Sequence, residues 1–146
     1  MSEKWGGPLV GCQFVLLVLL IAGSNRHNLH VAALAFLVAS LIMAGWALKV
    51  MRLGHFNIRP AVKEGAILVT HGPYRYIRHP MYASILLAGL GLLLITFSWL
   101  RLLLFLVLWL VLYLKLRIEE RLLARHFAGY PAYQKRSGLF FPRFKE

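Results

Sequence analysis

The residues best suited to chemistry lie together in the stretch His71–Tyr82, which reads His-Gly-Pro-Tyr-Arg-Tyr-Ile-Arg-His-Pro-Met-Tyr. Gly72-Pro73 predicts a turn, and Pro80 is typical of the first turn of a helix, where its missing N–H costs nothing. An apolar run follows, so the stretch leads into the N-terminus of an apolar helix. Such an N-terminus presents unpaired N–H groups and the positive end of a dipole, and Arg78 and His79 lie beside it. The sequence therefore predicts an anion-binding pocket where a membrane helix meets the cytoplasm.

The second group of interest is a pair of adjacent carboxylates, Glu119-Glu120, in a chain that holds only five acidic residues. They follow the last apolar run, which would bring them within reach of His79. Ion pairing with nearby arginines is the plainer interpretation of the pair. The alternative is a bipolar pocket, with a helix N-terminus and His79 on one side and the glutamates on the other. Such a pocket suits a zwitterionic ligand with carboxylate, ammonium and hydroxyl groups.

The elements that must position these residues are membrane helices. Of the 146 residues, 60% are hydrophobic and the mean hydropathy is +0.67, which is typical of a membrane protein. A span needs about 20 apolar residues, and about 17 are tolerated. The second and third of the apolar segments reach that range, while the first and fourth are short and need help from their flanks. The four segments are Leu9–Gly23, Val31–Leu48, Met81–Phe97 and Leu100–Leu114.

The connections between these segments also carry structural signals. Phe97-Ser98-Trp99 predicts the tip of a tight hairpin, and Gly89 and Gly91 permit close helix approach. The fourth helix is expected to continue to Phe127, because no helix breaker occurs before Gly129.

The net charge of +12 is explained by the predicted membrane topology and does not indicate binding to nucleic acid. When successive loops are assigned to alternate sides, 15 of the 17 Lys and Arg residues fall on one side, and only Arg26 and Arg101 on the other. The positive-inside rule then places both termini in the cytoplasm. We therefore expect a multi-pass protein of a bacterial or archaeal inner membrane, in contact with the bilayer and with no nucleic acid.

Other candidate features are weaker. The apolar pentad from Ala66 to Thr70 is too short to span, and it is either a buried segment that lines a pocket or a loop edge. His27 and His30 make only half of a zinc site, so no metal is predicted. We found no linker, and we predict a single domain over 1–146, with two membrane helices in 1–48 and a binding core in 49–146.

The combined pattern resembles the isoprenylcysteine carboxyl methyltransferase family and the wider phospholipid-methyltransferase-like group. The resemblance covers about Arg59 to Pro142, more than half of the chain. It is carried by Gly72-Pro73-Tyr74, Arg78-His79-Pro80-x-Tyr82, a membrane hairpin, Glu119-Glu120, Phe127, Tyr130-x-x-Tyr133 and Phe141-Pro142. Each piece alone is weak, but the combination is specific.

The resemblance implies an all-α polytopic membrane protein with about four transmembrane helices. Its cytoplasmic pocket would be formed by the loop before helix three and the C-terminal segment, and would bind S-adenosylmethionine, with S-adenosylhomocysteine as the product. The implied cofactor contacts are Arg59, Ala66, Ile67, Leu68, Val69, Tyr74, His79, Pro80, Met81, Tyr82 and Glu119. The resemblance therefore favours the pocket-lining role for the apolar pentad that begins at Ala66.

The resemblance also implies which residues orient the methyl acceptor. Eukaryotic members carry a substrate-orienting Arg one helical turn before the glutamate, and here that position is Lys115, with Arg117 close by. Lysine lacks the bidentate fork of arginine. The methyl acceptor is expected to be a membrane lipid or a lipidated small molecule. A carboxylate acceptor needs no base, whereas an amine or thiol must lose a proton, which Glu120 or His126 could accept.

Two other functions remain open from the sequence. One is a membrane reductase of the sterol-reductase type that binds NADPH, with Arg75 serving the 2′-phosphate. The other is a non-enzymatic membrane scaffold, in which His79 and the glutamates only pair ions.

Overall fold

The computed structural model describes residues 6–22, 30–55 and 68–143, and these residues form five α-helices. In chain order they are α1 (Gly6–Ala22), α2 (Val31–His55), α3 (Pro80–Ile95), α4 (Trp99–His126) and α5 (Tyr130–Arg136). A 3₁₀ turn, Gly72–Arg75, precedes α3. Within the described ranges no strand occurs, and the one isolated bridge pairs Ile77 with Gly138. The all-helical class predicted from the sequence is confirmed for these residues.

The long helices begin and end where the sequence provides local signals. The side chain of Ser98 caps α4 by accepting from the backbone N–H of Arg101 at 3.2 Å. Pro80 occupies the first turn of α3, and Thr96 ends that helix in an extended conformation. Thr96–Ser98 thus forms the tip of the predicted hairpin, and α4 continues to His126 as expected.

The helices α1 to α4 pack as an antiparallel bundle. Residues early in α2 meet residues late in α3: a Cβ added to Gly91 would lie 3.1 Å from the carbonyl oxygen of Ala33. At the opposite end, Gly72 lies against Val50 of α2. The predicted close approach at Gly91 is therefore confirmed, because an added Cβ would be tighter here than an ordinary van der Waals contact.

The helices α1 and α4 are also antiparallel. Leu16 and Leu20 of α1 pack with Leu108, Val111 and Leu112 of α4 in the main buried cluster. Because successive helices run in opposite directions, one end of the bundle contains the start of α1, the end of α2, the start of α3 and the end of α4. The candidate site occupies this end.

Two of the described helical segments, Val31–Met51 and Trp99–His126, are long and apolar enough to cross a membrane. Many large apolar side chains on the bundle face outward, among them Val31, Leu41 and Leu100, as expected for contact with lipid. The fourth segment lies within the 28-residue α4, as its expected continuation implies. The third segment was predicted to reach the spanning range, but α3 has 16 residues because Thr96 ends it.

Candidate active site

A cavity of about 320 Å³ opens at the end of the bundle where α3 begins. This volume lies within the range typical of small-molecule sites. The lining side chains come from α1, from the last residues of α2, from the 3₁₀ turn and the start of α3, and from the last third of α4. They are Gln13, Phe14, Leu17, Met51, Tyr74, Arg78, His79, Pro80, Met81, Tyr82, Ile85, Lys115 and Glu119.

The turn before α3 is fixed by one glycine and one tyrosine. Gly72 adopts φ +62°, a conformation that favours glycine, and Val50 fills the space that a Cβ would need. Tyr74 is buried, its hydroxyl lies 3.7 Å from Met51 Sδ, and its carbonyl accepts from the Tyr133 hydroxyl at 2.6 Å. Burial, with the nearby charge of Glu119, raises the pKa of the Tyr74 phenol. Tyr74 therefore enters the cavity as a neutral hydrogen-bonding group.

His79, Tyr82 and Glu119 form the polar end of the cavity. The rings of His79 and Tyr82 stack with centroids 5.5 Å apart and an interplanar angle of 4°. The Tyr82 hydroxyl donates to Glu119 Oε2 at 2.7 Å, and His79 Nδ1 lies 3.7 Å from the same oxygen. The structure thus brings together three residues from the sequence-predicted site, including a carboxylate 37 positions away from Tyr82 in the chain.

The second ring nitrogen of His79, Nε2, makes no hydrogen bond to the described residues. The His79 side chain is 5% exposed, and its Nε2 atom finds no hydrogen-bond partner among the described residues. The nearest carboxylate oxygen, Glu120 Oε1, is 3.7 Å away, which is beyond hydrogen-bond distance. Buried polar atoms are almost always hydrogen-bonded, so Nε2 is an exception that the 3.7 Å contact with Glu120 offsets only in part.

Glu120 faces a different set of partners from Glu119. Its Oε1 atom accepts from Arg78 Nε at 2.6 Å and from the Tyr130 hydroxyl at 3.3 Å. Arg78 in turn donates to the backbone carbonyls of Gln134, at 3.0 Å, and of Ser137. Glu120 therefore ties α4 to the C-terminal segment and is not among the side chains that line the cavity.

The C-terminal segment, from Tyr130 onward, forms hydrogen bonds with the backbone next to the site. Arg78 N donates to Gly138 O at 2.8 Å, and Gly138 N donates to Tyr76 O at 2.9 Å. Burial raises the pKa of Tyr133 to about 12, so its hydroxyl keeps the proton that it donates to Tyr74. The sequence led us to expect that this segment would line the pocket. None of its described residues lines the cavity beside His79; the segment fixes the backbone around Arg78 and, with Arg78, lines a second cavity of about 510 Å³.

Lys115 is the buried cation at the middle of the cavity. Its side chain is 2% exposed, and Nζ donates to Gln13 Oε1 at 2.8 Å and lies 4.9 Å from the centre of the Tyr82 ring. Gln13 is missing from the sequence-predicted site. Its signal was available, because Gln13 is the one amide side chain in the otherwise apolar α1.

The remaining predicted residues have different placements. Arg117 is exposed, stands 6.0 Å from the Tyr113 ring and does not line the cavity. His126 is also exposed and packs edge-on against Phe127. Leu68 and Val69 are partly buried outside the lining. The predictions for Arg59, Ala66 and Ile67 fall outside the described residues.

Comparison with known proteins identifies the family. The family model described as phospholipid methyltransferase matches residues 28–129. The chain therefore belongs to the phospholipid methyltransferase family. This confirms the family resemblance seen in the sequence.

Two curated proteins are also similar. Over 82 residues the chain is 38% identical to the cobalt-zinc-cadmium resistance protein CzcN of Cupriavidus metallidurans. Over 82 residues it is 39% identical to the nickel-cobalt-cadmium resistance protein NccN of Alcaligenes xylosoxydans xylosoxydans. In both cases the match covers 56% of this chain and 38% of the relative.

Proposed function

We propose that this protein transfers a methyl group from S-adenosylmethionine to a lipophilic acceptor embedded in the membrane. The observation that carries the proposal is the polar end of the cavity. There the Glu119 carboxylate and the His79 ring line one cavity, in a member of a methyltransferase family. The predicted cofactor contacts and the nature of the acceptor are parts of this proposal.

The residues present fit S-adenosylmethionine in charge and hydrogen-bonding capacity. The cofactor carries cationic sulfonium and ammonium groups, ribose hydroxyls and a carboxylate. Glu119 can accept from a hydroxyl or an ammonium group, and the His79 ring supplies a further polar contact. The N-terminus of α3 favours the carboxylate. When bound, the cofactor supplies an already activated methyl group.

The task of the protein is therefore to orient the reactants and exclude water. His79, Tyr82 and Tyr74 hold the polar end as a preformed set of groups, because each is buried or hydrogen-bonded within the bundle. A carboxylate acceptor needs no base. For an amine or thiol, Glu119 is the carboxylate that lines the cavity, whereas Glu120 is already paired with Arg78. Lys115 is better placed than Arg117 to orient the acceptor.

We further propose that α1 to α4 all span the bilayer, with the site end in the cytoplasm. The alternating directions of the four helices and the distribution of Lys and Arg support this topology. The 17 residues of α1 and the 16 of α3 correspond to about 26 and 24 Å at 1.5 Å per residue. Local thinning of a hydrocarbon core of about 30 Å would accommodate both helices.

The competing functions have less support. Arg75, the residue available for the 2′-phosphate of NADPH, is exposed and does not line the cavity. A purely structural ion-pair role suits Glu120, which is paired with Arg78, whereas the Glu119 carboxylate and the His79 ring line the cavity. The names of the two curated relatives refer to metal resistance. Within residues 6–22, 30–55 and 68–143, no group of three or more His, Cys, Asp or Glu residues could hold a metal ion.

Titration calorimetry of the purified protein with S-adenosylhomocysteine and with NADPH tests the proposal. We expect S-adenosylhomocysteine to bind and NADPH not to bind. His79→Ala should weaken S-adenosylhomocysteine binding by about tenfold, because a hydrogen bond to a charged group is worth about 1.5–3 kcal/mol. His71→Ala is the matched control, since His71 is an exposed histidine in the same stretch. Binding of NADPH alone, or equal affinities for the two variants, would reject the proposed site.

A further inference from the structure

The C-terminal segment contains a closed loop, residues 138–143, which we call the 138–143 loop. Both of its ends bind the same carbonyl oxygen, because the N–H groups of Gly138 and Arg143 donate to Tyr76 O at 2.9 and 3.2 Å. The loop is so tight that a Cβ added to Gly138 would collide with the carbonyl oxygen of Phe141. The loop is therefore held beside the start of α3, with a defined set of side chains on its surface.

The second cavity, of about 510 Å³, lies between the 138–143 loop and Arg78. Arg78 and Arg143 both line it, and no carboxylate does so among the described residues. The apolar part of its wall consists of loop side chains, Leu139, Phe140 and Phe141. The cavity therefore combines two guanidinium groups, which match the geometry of phosphate, with an apolar wall suited to a hydrocarbon chain.

The Arg78 guanidinium keeps one donor group that a ligand could use. Its Nε is paired with Glu120, and its Nη1 donates to the carbonyls of Gln134 and Ser137. Within the described part of the chain Nη2 makes no hydrogen bond, although the Arg78 side chain is only 10% exposed. Because a guanidinium presents five N–H donors, Arg78 can bind a phosphate oxygen while it retains its protein partners.

The rim of the second cavity is cationic. Arg143 Nη1 lies 3.4 Å from the carbonyl oxygen of Lys135, which places Arg143 at the last turn of α5 with Arg136. All three residues are exposed, and within the described ranges none of them forms an ion pair. No Asp or Glu occurs in residues 121–145. An anion that approaches the loop therefore meets positive charge that the protein does not neutralise.

In the proposed topology the second cavity lies at the level of the lipid head groups. The 16 residues of α3 correspond to about 24 Å, less than the hydrocarbon thickness of about 30 Å. The first turn of α3 therefore cannot extend beyond the edge of the hydrocarbon, and Tyr76, four residues before Pro80, lies among the head groups. Phe141, on the loop that Tyr76 holds, is 83% exposed, as expected for an aromatic side chain at the interface.

We propose that the second cavity binds an anionic phospholipid, which regulates the neighbouring active site and is not its methyl acceptor. Arg143 and Nη2 of Arg78 would contact the phosphodiester, and the apolar wall would contact the upper part of an acyl chain. The lipid is distinct from the acceptor because no residue of the 138–143 loop lines the cavity that contains Glu119.

The regulatory effect follows from the position of Arg78 between the two cavities. Arg78 lines both cavities, holds Glu120 and directly precedes His79. A phosphodiester bound to Arg78 and the loop would hold this part of the wall in its hydrogen-bonded arrangement. Anionic lipid should therefore raise the affinity for S-adenosylhomocysteine. This effect rests on the proposed function, whereas binding of the lipid does not.

Photo-crosslinking in phosphatidylcholine nanodiscs tests the lipid site without the cofactor. The probes are phosphatidylglycerol and phosphatidylcholine with the same diazirine near the top of one acyl chain, so they differ in net charge. We expect the phosphatidylglycerol probe to label the 138–143 loop about fivefold more strongly or better, since each cation near the surface favours an anionic lipid by about that factor. Equal labelling by the two probes overturns the proposal. Loss of the preference in inorganic phosphate would also overturn it, because the site would then take soluble phosphate.

Arg143→Glu is the decisive variant, and Arg125→Glu is its matched control. Arg125 is an exposed arginine of α4 that lines neither cavity, so the control makes the same change of charge at the same end of the bundle. We expect Arg143→Glu to be labelled equally by the two probes and Arg125→Glu to keep the preference. If Arg143→Glu does not fold, as judged by thermal unfolding, Arg143→Gln must abolish most of the preference. An equal loss in Arg125→Glu would reveal a general effect of charge and refute the site.

Calorimetry with S-adenosylhomocysteine tests the regulatory role in the same nanodiscs. Replacement of part of the phosphatidylcholine by phosphatidylglycerol should raise the affinity by about fivefold or more, a typical coupling between two sites, and Arg143→Glu should abolish this rise. Selective labelling of the loop with unchanged affinity refutes the regulatory role and leaves the lipid site standing. Selective labelling without any binding of S-adenosylhomocysteine rejects the proposed function instead.

Discussion

Substitution of Glu119 by Gln separates a ligand-binding carboxylate from a structural one. The change removes the charge but keeps an oxygen that can accept from the Tyr82 hydroxyl, now 2.7 Å from Glu119 Oε2. A charge-assisted hydrogen bond to the cofactor is worth about 1.5–3 kcal/mol, so affinity for S-adenosylhomocysteine should fall by about tenfold or more. Because the side chain is 30% exposed and keeps its tyrosine partner, the free energy of unfolding should fall by less than about 1 kcal/mol.

The neighbouring substitution, Glu120→Gln, is the matched comparison and should give the opposite pattern. The side chains of Arg78 and Glu120 are only 10% and 12% exposed, and removal of one partner from a buried pair costs about 3–5 kcal/mol. Arg78 keeps two backbone carbonyls as partners, so we expect the lower end of that range. For a chain of this size about 3 kcal/mol corresponds to a loss of roughly 6–12 °C in Tm.

Both quantities should be measured on the same purified samples, affinity by calorimetry well below Tm and stability by thermal unfolding. The expected result is a crossed pattern, in which Glu119→Gln lowers affinity and Glu120→Gln lowers Tm. If Glu119→Gln binds S-adenosylhomocysteine as tightly as the unmodified protein, Glu119 is a structural residue. The proposed site then loses its main support.

Three further predictions concern stability and topology. Arg101 Nη2 donates to the carbonyls of Leu20 and Leu92 at 2.6 and 3.0 Å. Arg101→Met should therefore lower the free energy of unfolding by about 3 kcal/mol, measured by thermal unfolding, and should leave the affinity for S-adenosylhomocysteine unchanged well below Tm. The raised pKa of Tyr133, about 12, favours its protonated form in the folded state. Its contribution to stability is therefore complete below pH 10 and lost as the pH rises toward 12, and Tyr133→Phe should remove that part of alkaline unfolding. A reporter fused after Glu146 should be active only on the cytoplasmic side, and activity on the outer side would contradict the topology.

The sequence predicted those parts of the structure that depend on local signals. The turn at Gly72-Pro73, the start of α3 at Pro80 and the hairpin at Ser98 all follow from residues that constrain the backbone where they stand. The meeting of His79 with Glu119 also followed, because a tight hairpin must return the end of α4 to the start of α3.

The sequence could not assign contacts that depend on the rotation of one helix against another. It offered Lys115 and Arg117 as equivalent candidates, yet they lie two residues apart on a helix and therefore point in different directions. Lys115 turns into the cavity and Arg117 turns outward. For the same reason the adjacent residues Glu119 and Glu120 point in different directions, and only Glu119 lines the cavity. Gln13 could not be paired with Lys115 from sequence, because the two are 102 positions apart.

The rotation of α1 against α4 is fixed by a few polar side chains, because both helices are apolar on nearly every face in their membrane portions. Arg101 reaches the carbonyl of Leu20 at one end of the pair, and Lys115 reaches Gln13 at the other. Gln13 and Leu20 are about two turns apart, so they share one face of α1, and Arg101 and Lys115 are about four turns apart on one face of α4. A polar group left without its partner in an apolar environment costs more than a change in apolar packing. The contact that holds Lys115 in the cavity wall is thus one of two contacts that select the packing face of α1, and substitution of Gln13 by an apolar residue would remove one of the two.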